Sequence, residues 1–161
     1  TPKKAAKSAS LTMLKPGDTL ASSLAPQIGN QPFTISCVVE SLQPDGIILA
    51  HGGISAGYAL HLKQGHPVFS VHTGAGSEVV DLMSAAKITG LTRIKAALAP
   101  DATMTLCLND LAAATGKAPG LIPRQPQEDF CLGHDNVKPV ANYSGKDPFR
   151  GSIADLKITT P

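Results

Sequence analysis

Apolar and polar residues alternate with a period of two along most of this chain, the signature of strands with one face in a core and one in water. The pattern is densest over residues 45–72, DGIILAHGGISAGYALHLKQGHPVFSVH. Ile47–Leu49, Tyr58–Leu62 and Val68–Val71 are predicted strands, separated by turns at His51-Gly52-Gly53 and Gln64-Gly65. Tyr58, Leu60 and Leu62 fall on one face of this meander, and Ala59, His61 and Lys63 on the other.

The rest of the chain continues the pattern. Leu11–Leu14 reads as a first edge strand closed by Lys15-Pro16-Gly17-Asp18, and residues 19–30 as a loop or helical turn. Phe33–Glu40 places Phe33, Ile35, Cys37 and Val39 inward. Val79-Val80 is a short strand, although Glu78–Ala86 can also be read as one helix. Leu91–Leu98 turns at Pro100-Asp101-Ala102 into Met104–Leu108, where Met104, Leu106 and Leu108 point in. Leu111–Thr115, Phe130–Gly133 and Ile153–Thr159 complete the set, with a proline-rich connector at residues 116–127. Strands this short and this regularly spaced predict an all-β antiparallel sandwich or barrel.

Composition narrows this further. The 161 residues are enough for one domain with a real core. With four Phe, two Tyr and no Trp, that core has to be aliphatic. The formal charge of +2 comes from the opening tail: without Lys3, Lys4 and Lys7, eleven basic residues face twelve acidic ones. Such a balance favours neither nucleic acid nor an anionic membrane as partner. No apolar run reaches the length of a membrane span. Residues 1–10 are expected to be a flexible linker or tail, and residues 11–161 one folded domain, cut from a longer protein or matured. Of the three cysteines, Cys37 and Cys131 could pair, but Cys37 lies in the apolar phase of its strand and reads as a buried free thiol.

In their order, PFTIS, GGISAGYALHLKQGHPVFSV, IKAAL, DATMTLCLND, GKAPGLIPRQP, LGHDN and PFRGSIADLKI resemble the laminin-G-like, concanavalin-A-like jelly-roll superfamily. More narrowly, they are similar to the jelly-roll module found C-terminal to bacterial sulfatase domains. The resemblance spans about residues 31–158. It implies a jelly-roll sandwich in an extracytoplasmic setting, periplasmic or secreted. It also implies a polysaccharide or glycan as ligand and the catalytic domain of a parent enzyme as partner. Three positions depart from the family: Leu91 stands where a Trp opens the strand, Asp101-Ala102 replaces an Asp-Gly turn, and Cys107 replaces an aromatic residue. These changes predict a core that has lost aromatic residues.

Catalytic constellations are missing. Retaining glycosidases need two carboxylates about 5 Å apart, and neither Glu78 with Asp81 nor Glu128 with Asp129 is placed to supply them. Gly53-Ile54-Ser55-Ala56-Gly57 fits the pattern of a nucleophile elbow, but that device needs a strand turning into a helix, and a strand follows here. None of the cysteines sits in the Cys-x-Pro-x-Arg setting of a sulfatase nucleophile. Cys131 and His134 have C-x-x-H spacing, yet a structural zinc site shows two such pairs. The chain is therefore expected to be non-catalytic.

What remains is binding. His61 and His72 lie in outward phases of neighbouring strands, where they are expected to face one another on a solvent-exposed surface beside Lys63. The polar run His134-Asp135-Asn136, with Asn142 and Tyr143 behind it, falls at a sandwich rim. The resemblance implies that Asp135 and Asn136 could ligate a calcium ion there; the plain alternative is a turn capped by their own side chains. Tyr143 is the candidate for stacking on a sugar ring, since Tyr58 lies in the apolar phase. His61, Lys63, His72, Asn142 and Tyr143 are thus the expected glycan contacts. A structural or protein–protein interaction module is the alternative.

Overall fold

The computed structural model describes residues 11, 14–52, 56–74, 79–134 and 149–160. Residues 1–10, Gly53–Ser55, Glu78, Asp135, Asn136, Asn142 and Tyr143 lie outside that set. Eleven strands follow in chain order: β1 (Thr19–Leu20), β2 (Phe33–Ser41), β3 (Gly46–Gly52), β4 (Gly57–Lys63), β5 (His66–His72), β6 (Val80–Met83), β7 (Thr92–Leu98), β8 (Thr103–Leu108), β9 (Leu111–Lys117), β10 (Phe130–Leu132) and β11 (Gly151–Thr159). They form two antiparallel sheets: six strands in the order β1-β10-β3-β4-β5-β6, and five in the order β11-β2-β7-β8-β9. This is the all-β jelly-roll sandwich that the resemblance implied, built from the antiparallel strands that the alternation predicted.

The inward phases meet between the sheets. Phe33, Ile35, Cys37 and Val39 of β2 join Ile94, Ala96 and Leu98 of β7 and Met104, Leu106 and Leu108 of β8, facing Tyr58, Leu60 and Leu62 of β4. At about 1.5–3 kcal/mol for each large apolar side chain buried, this interface supplies the main drive to fold. Three of the aromatics are gathered in one place: the Phe33 ring lies 4.9 Å from that of Tyr58 and 6.3 Å from that of Phe69.

Several expectations are corrected. Leu11 is buried but lies outside any strand, and the six-stranded sheet instead ends on Thr19–Leu20, whose register is set by pairing with Cys131 and Phe130. The helix proposed over Glu78–Ala86 is replaced by β6, because Leu82 turns into the core between exposed Asp81 and Met83. Leu91 is exposed just ahead of β7, and Cys107 is half-buried on the outward phase of β8. Neither replacement therefore removes an aromatic ring from the core. Ala102 does occupy the conformation that explains an Asp-Gly turn, with φ of +71°. Cys37, Cys107 and Cys131 are all free thiols, so no Cys37–Cys131 bridge exists.

Candidate functional site

The outer face of the six-stranded sheet carries the polar side chains singled out in the meander. Ala59 and His61 alternate with the core residues of β4, and Ser70 lies directly across from Ala59 on β5. Asp81 lies directly across from Ser70 on β6. His61 is 3% exposed and His72 8% exposed, so the expectation of a solvated histidine surface is wrong for both. The register also separates them: His61 pairs with Val68, and His72 with Gly57. Lys63, at the end of β4, is exposed as expected and pairs with His66.

His61, Ser70 and Asp81 are hydrogen-bonded in series. The Ser70 hydroxyl donates to Asp81 Oδ1 at 2.5 Å, and His61 Nε2 lies 3.0 Å from Ser70 Oγ. Since the single hydroxyl proton is committed to Asp81, His61 has to carry its proton on Nε2 and donate. That is the reverse of a nucleophilic serine, whose proton a histidine nitrogen must be free to accept. The series is a buried polar brace in which the Ser70 proton is turned toward the Asp81 carboxylate and away from the imidazole. Burial pushes the His61 imidazole down to about 4, with the Asp81 carboxylate pulling it up and Lys63 pushing it further down.

His51 forms a second buried polar group, on the core side. Its Nδ1 lies 3.2 Å from the Tyr58 hydroxyl and its Nε2 3.4 Å from Ser22 Oγ. The Ser22 hydroxyl is given to the carbonyl of Pro126, so His51 donates from Nε2 and accepts from Tyr58 at Nδ1. Burial holds this imidazole down at about 4, against smaller opposing effects of the Glu128 and Pro126 backbone. The sequence places His51 in a turn; the structure makes it part of β3, edge-on to Tyr58 and Phe130.

The hairpin that carries Gly-x-Ser-x-Gly is closed by its glycines. Gly52 and Gly57 pair across β3 and β4, and a Cβ on either would meet backbone atoms of the opposite strand at 2.2 or 2.3 Å. Antiparallel strands flank the motif, so the strand–turn–helix setting of a nucleophile elbow does not occur. Among the described residues, no group of three or more His, Cys, Asp or Glu side chains converges to hold a metal ion. His134 Nδ1 donates to the Leu132 carbonyl at 3.1 Å, and the adjoining Asp135 and Asn136 lie outside the described residues.

The opposite outer face, on the five-stranded sheet, was missed. Lys157, Ser36, Lys95 and Cys107 stand side by side across β11, β2, β7 and β8. Alternation had already placed Ser36 and Cys107 outward, but the pairing of β11 with β2 cannot be read from it. Beside this row a β-bulge between Ala154 and Lys157 opens a groove of about 400 Å³.

No protein-family model matches this sequence, and no curated protein sequence matches it. Solved structures do. Domains LG4-5 of the mouse laminin alpha1 chain superpose with a TM-score of 0.67 at 12% identity, over 90% of this chain but only 40% of theirs. CBM40 of the Ruminococcus gnavus IT-sialidase gives 0.65 at 15% identity, over 97% of this chain and 90% of its own. Domain 4 of AbnA, an extracellular GH43 arabinanase from Geobacillus stearothermophilus, solved with arabinotriose, gives 0.65 at 17%, over 99% and 77%. At these identities the likeness establishes the fold. It is a fold shared with laminin G domains and with a carbohydrate-binding module. No helix among the described residues is long and apolar enough to cross a membrane.

Proposed function

We propose that this chain is a non-catalytic carbohydrate-binding module of a larger extracytoplasmic, sulfatase-like, polysaccharide-processing enzyme whose catalytic domain lies outside it. The observation that carries this reading is the extent of the structural match. The match takes in 97% of this chain and 90% of CBM40, and 99% of this chain and 77% of the arabinanase domain solved with arabinotriose. Sugar contact is assigned to the rim after β10, where Asp135 and Asn136 offer oxygen ligands to calcium and Asn142 and Tyr143 offer a hydrogen bond and a stacking ring. Lys63 lies on the same sheet.

The test is a glycan array of the purified chain with and without calcium. Binding that is lost in Tyr143→Ala or Asp135→Ala supports the reading, and absence of binding in both conditions ends it. A protein–protein interaction module is the second reading, and edge strand β9 favours it. Among the described residues its outer edge is unpaired, it carries no charge from Leu111 to Gly116, and Leu111 is 72% exposed. Such an edge is a template for another strand.

A further inference from the structure

The five-stranded sheet turns its outer face away from the histidines, and one part of that face is built differently from the rest. Ala154 pairs with Val38 and Lys157 with Ser36, so one extra residue is inserted into β11 at this point. Asp155 takes up the insertion with φ of +54°, a conformation that costs a non-glycine residue roughly 1–2 kcal/mol. Beside it lies the groove of about 400 Å³, walled by Ser36, Val38, Arg93, Asp155 and Lys157 and floored by the backbone of Cys37.

The charges here are unevenly committed. The Arg93 guanidinium is held by Asp110 at 3.3 Å. Among the described residues, neither Lys157 nor Lys95 has an ion pair, although they flank Ser36 from its two neighbouring strands. Directly opposed side chains in a sheet stand about 5 Å apart at Cβ, so both ammonium groups reach the space above the Ser36 hydroxyl. Glu40, the other acid on this face of β2, is four residues further along, roughly 13 Å away. Asp155 is the only carboxylate among the groove-lining residues.

The groove and its margin discriminate between anions: Lys157 lines the groove, and Lys95 stands beside it on β7, opposite Ser36. Two ammonium groups and a hydroxyl suit one acid group, and charge-assisted hydrogen bonds to it are the stronger kind. Asp155, in the same groove, repels a dianion such as phosphate but accepts hydrogen bonds from hydroxyls. A ligand that presents both a single carboxylate and neighbouring hydroxyls satisfies every group. We infer that the groove over β11, β2 and β7 binds a carboxylated sugar residue, its acid group seated over Ser36 between Lys157 and Lys95 and its hydroxyls donating to Asp155. The inference rests on the carbohydrate-binding reading but uses the opposite sheet from the rim assigned above.

The test is calorimetric titration of the purified chain with trigalacturonate, alongside neutral arabinan oligosaccharides, chondroitin sulfate and polyglutamate. Trigalacturonate binding should weaken at least tenfold in Lys157→Glu and in Lys95→Glu, hold in Lys157→Arg, and be unchanged in Asp135→Ala and Tyr143→Ala. Unaltered circular dichroism and urea midpoints exclude misfolding as the cause. The site is overturned if trigalacturonate binds but the lysine variants bind it equally well. Equal competition by polyglutamate, a carboxylate polymer with no sugar, overturns it too, by reducing the groove to a general anion patch, whereas chondroitin sulfate carries a uronic acid and should compete. Neutral oligosaccharides binding where trigalacturonate does not removes this site and leaves the carbohydrate reading standing. No sugar bound at all removes both.

Discussion

Ser70 gives its only hydroxyl proton to Asp81, directly across the β5–β6 ladder. His61 is therefore left as a donor to the same oxygen, and the series has one direction only. Ser70→Ala strips a buried imidazole N–H of its acceptor, which should cost about 1–3 kcal/mol. Asp81→Asn keeps a carbonyl acceptor for the hydroxyl and should cost less. Urea titrations of the two variants check this, and a Ser70→Ala midpoint equal to that of the parent chain would contradict the buried series.

Two of the buried histidines, His51 and His61, make the fold sensitive to acid. In the unfolded chain each takes a proton near pH 6.5, whereas in the folded chain His51 and His61 are held at about 4. Their stabilising effect is thus complete above about 6.5 and is lost as pH falls toward 4, because the unfolded state binds protons first. The loss should approach roughly 3 kcal/mol per histidine. Urea midpoints at pH 7, 5.5 and 4 should fall steadily, and His61→Gln should flatten the decline by about half.

The β3–β4 hairpin tolerates no side chain at its closing pair. Gly57→Ala would bring a Cβ to 2.3 Å from the His51 carbonyl oxygen at a φ of +155°. Backbone has to move, so a loss of several kcal/mol is expected, in the upper range for point changes. Gly120→Ala is the control, since a Cβ there meets nothing within 4 Å. Thermal melts should separate the two by well over 5 °C.

Thiol chemistry should single out one cysteine of three. Burial pushes the Cys37 thiol up to about 12, and Cys131 is buried as well. Cys107 stands half-buried across from Lys95 on the outer face. With excess thiol reagent in native buffer, one fast phase is expected, and Cys107→Ser should abolish it. Three equal phases would refute the placement of Cys37 and Cys131.

Much of the strand set was legible through period two: the inward residues read for β2 and β8 (Phe33, Ile35, Cys37 and Val39; Met104, Leu106 and Leu108) are those in the core. Strands whose evidence is tertiary were not. Thr19–Leu20 is too short to alternate, and β6 shows its phase only through Leu82. The histidines mark a different limit. Alternation told which face His61 occupies, and exposure is a property of what surrounds that face. The Lys157–Ser36–Lys95 row needed the β11–β2 register, which joins distant parts of the chain and leaves no local trace.

That same register sets an order of events during synthesis. β2 emerges from the ribosome early, and its outer edge has no partner until residues 151–159 follow, after every other strand has been made. The sheet can pair β2 with β7 beforehand, but the side bearing Ser36 and Val38 stays open. The groove at the bulge consequently cannot exist before β11 has been made. A nascent or clipped chain lacking β11 has an open strand edge where the finished molecule has a groove.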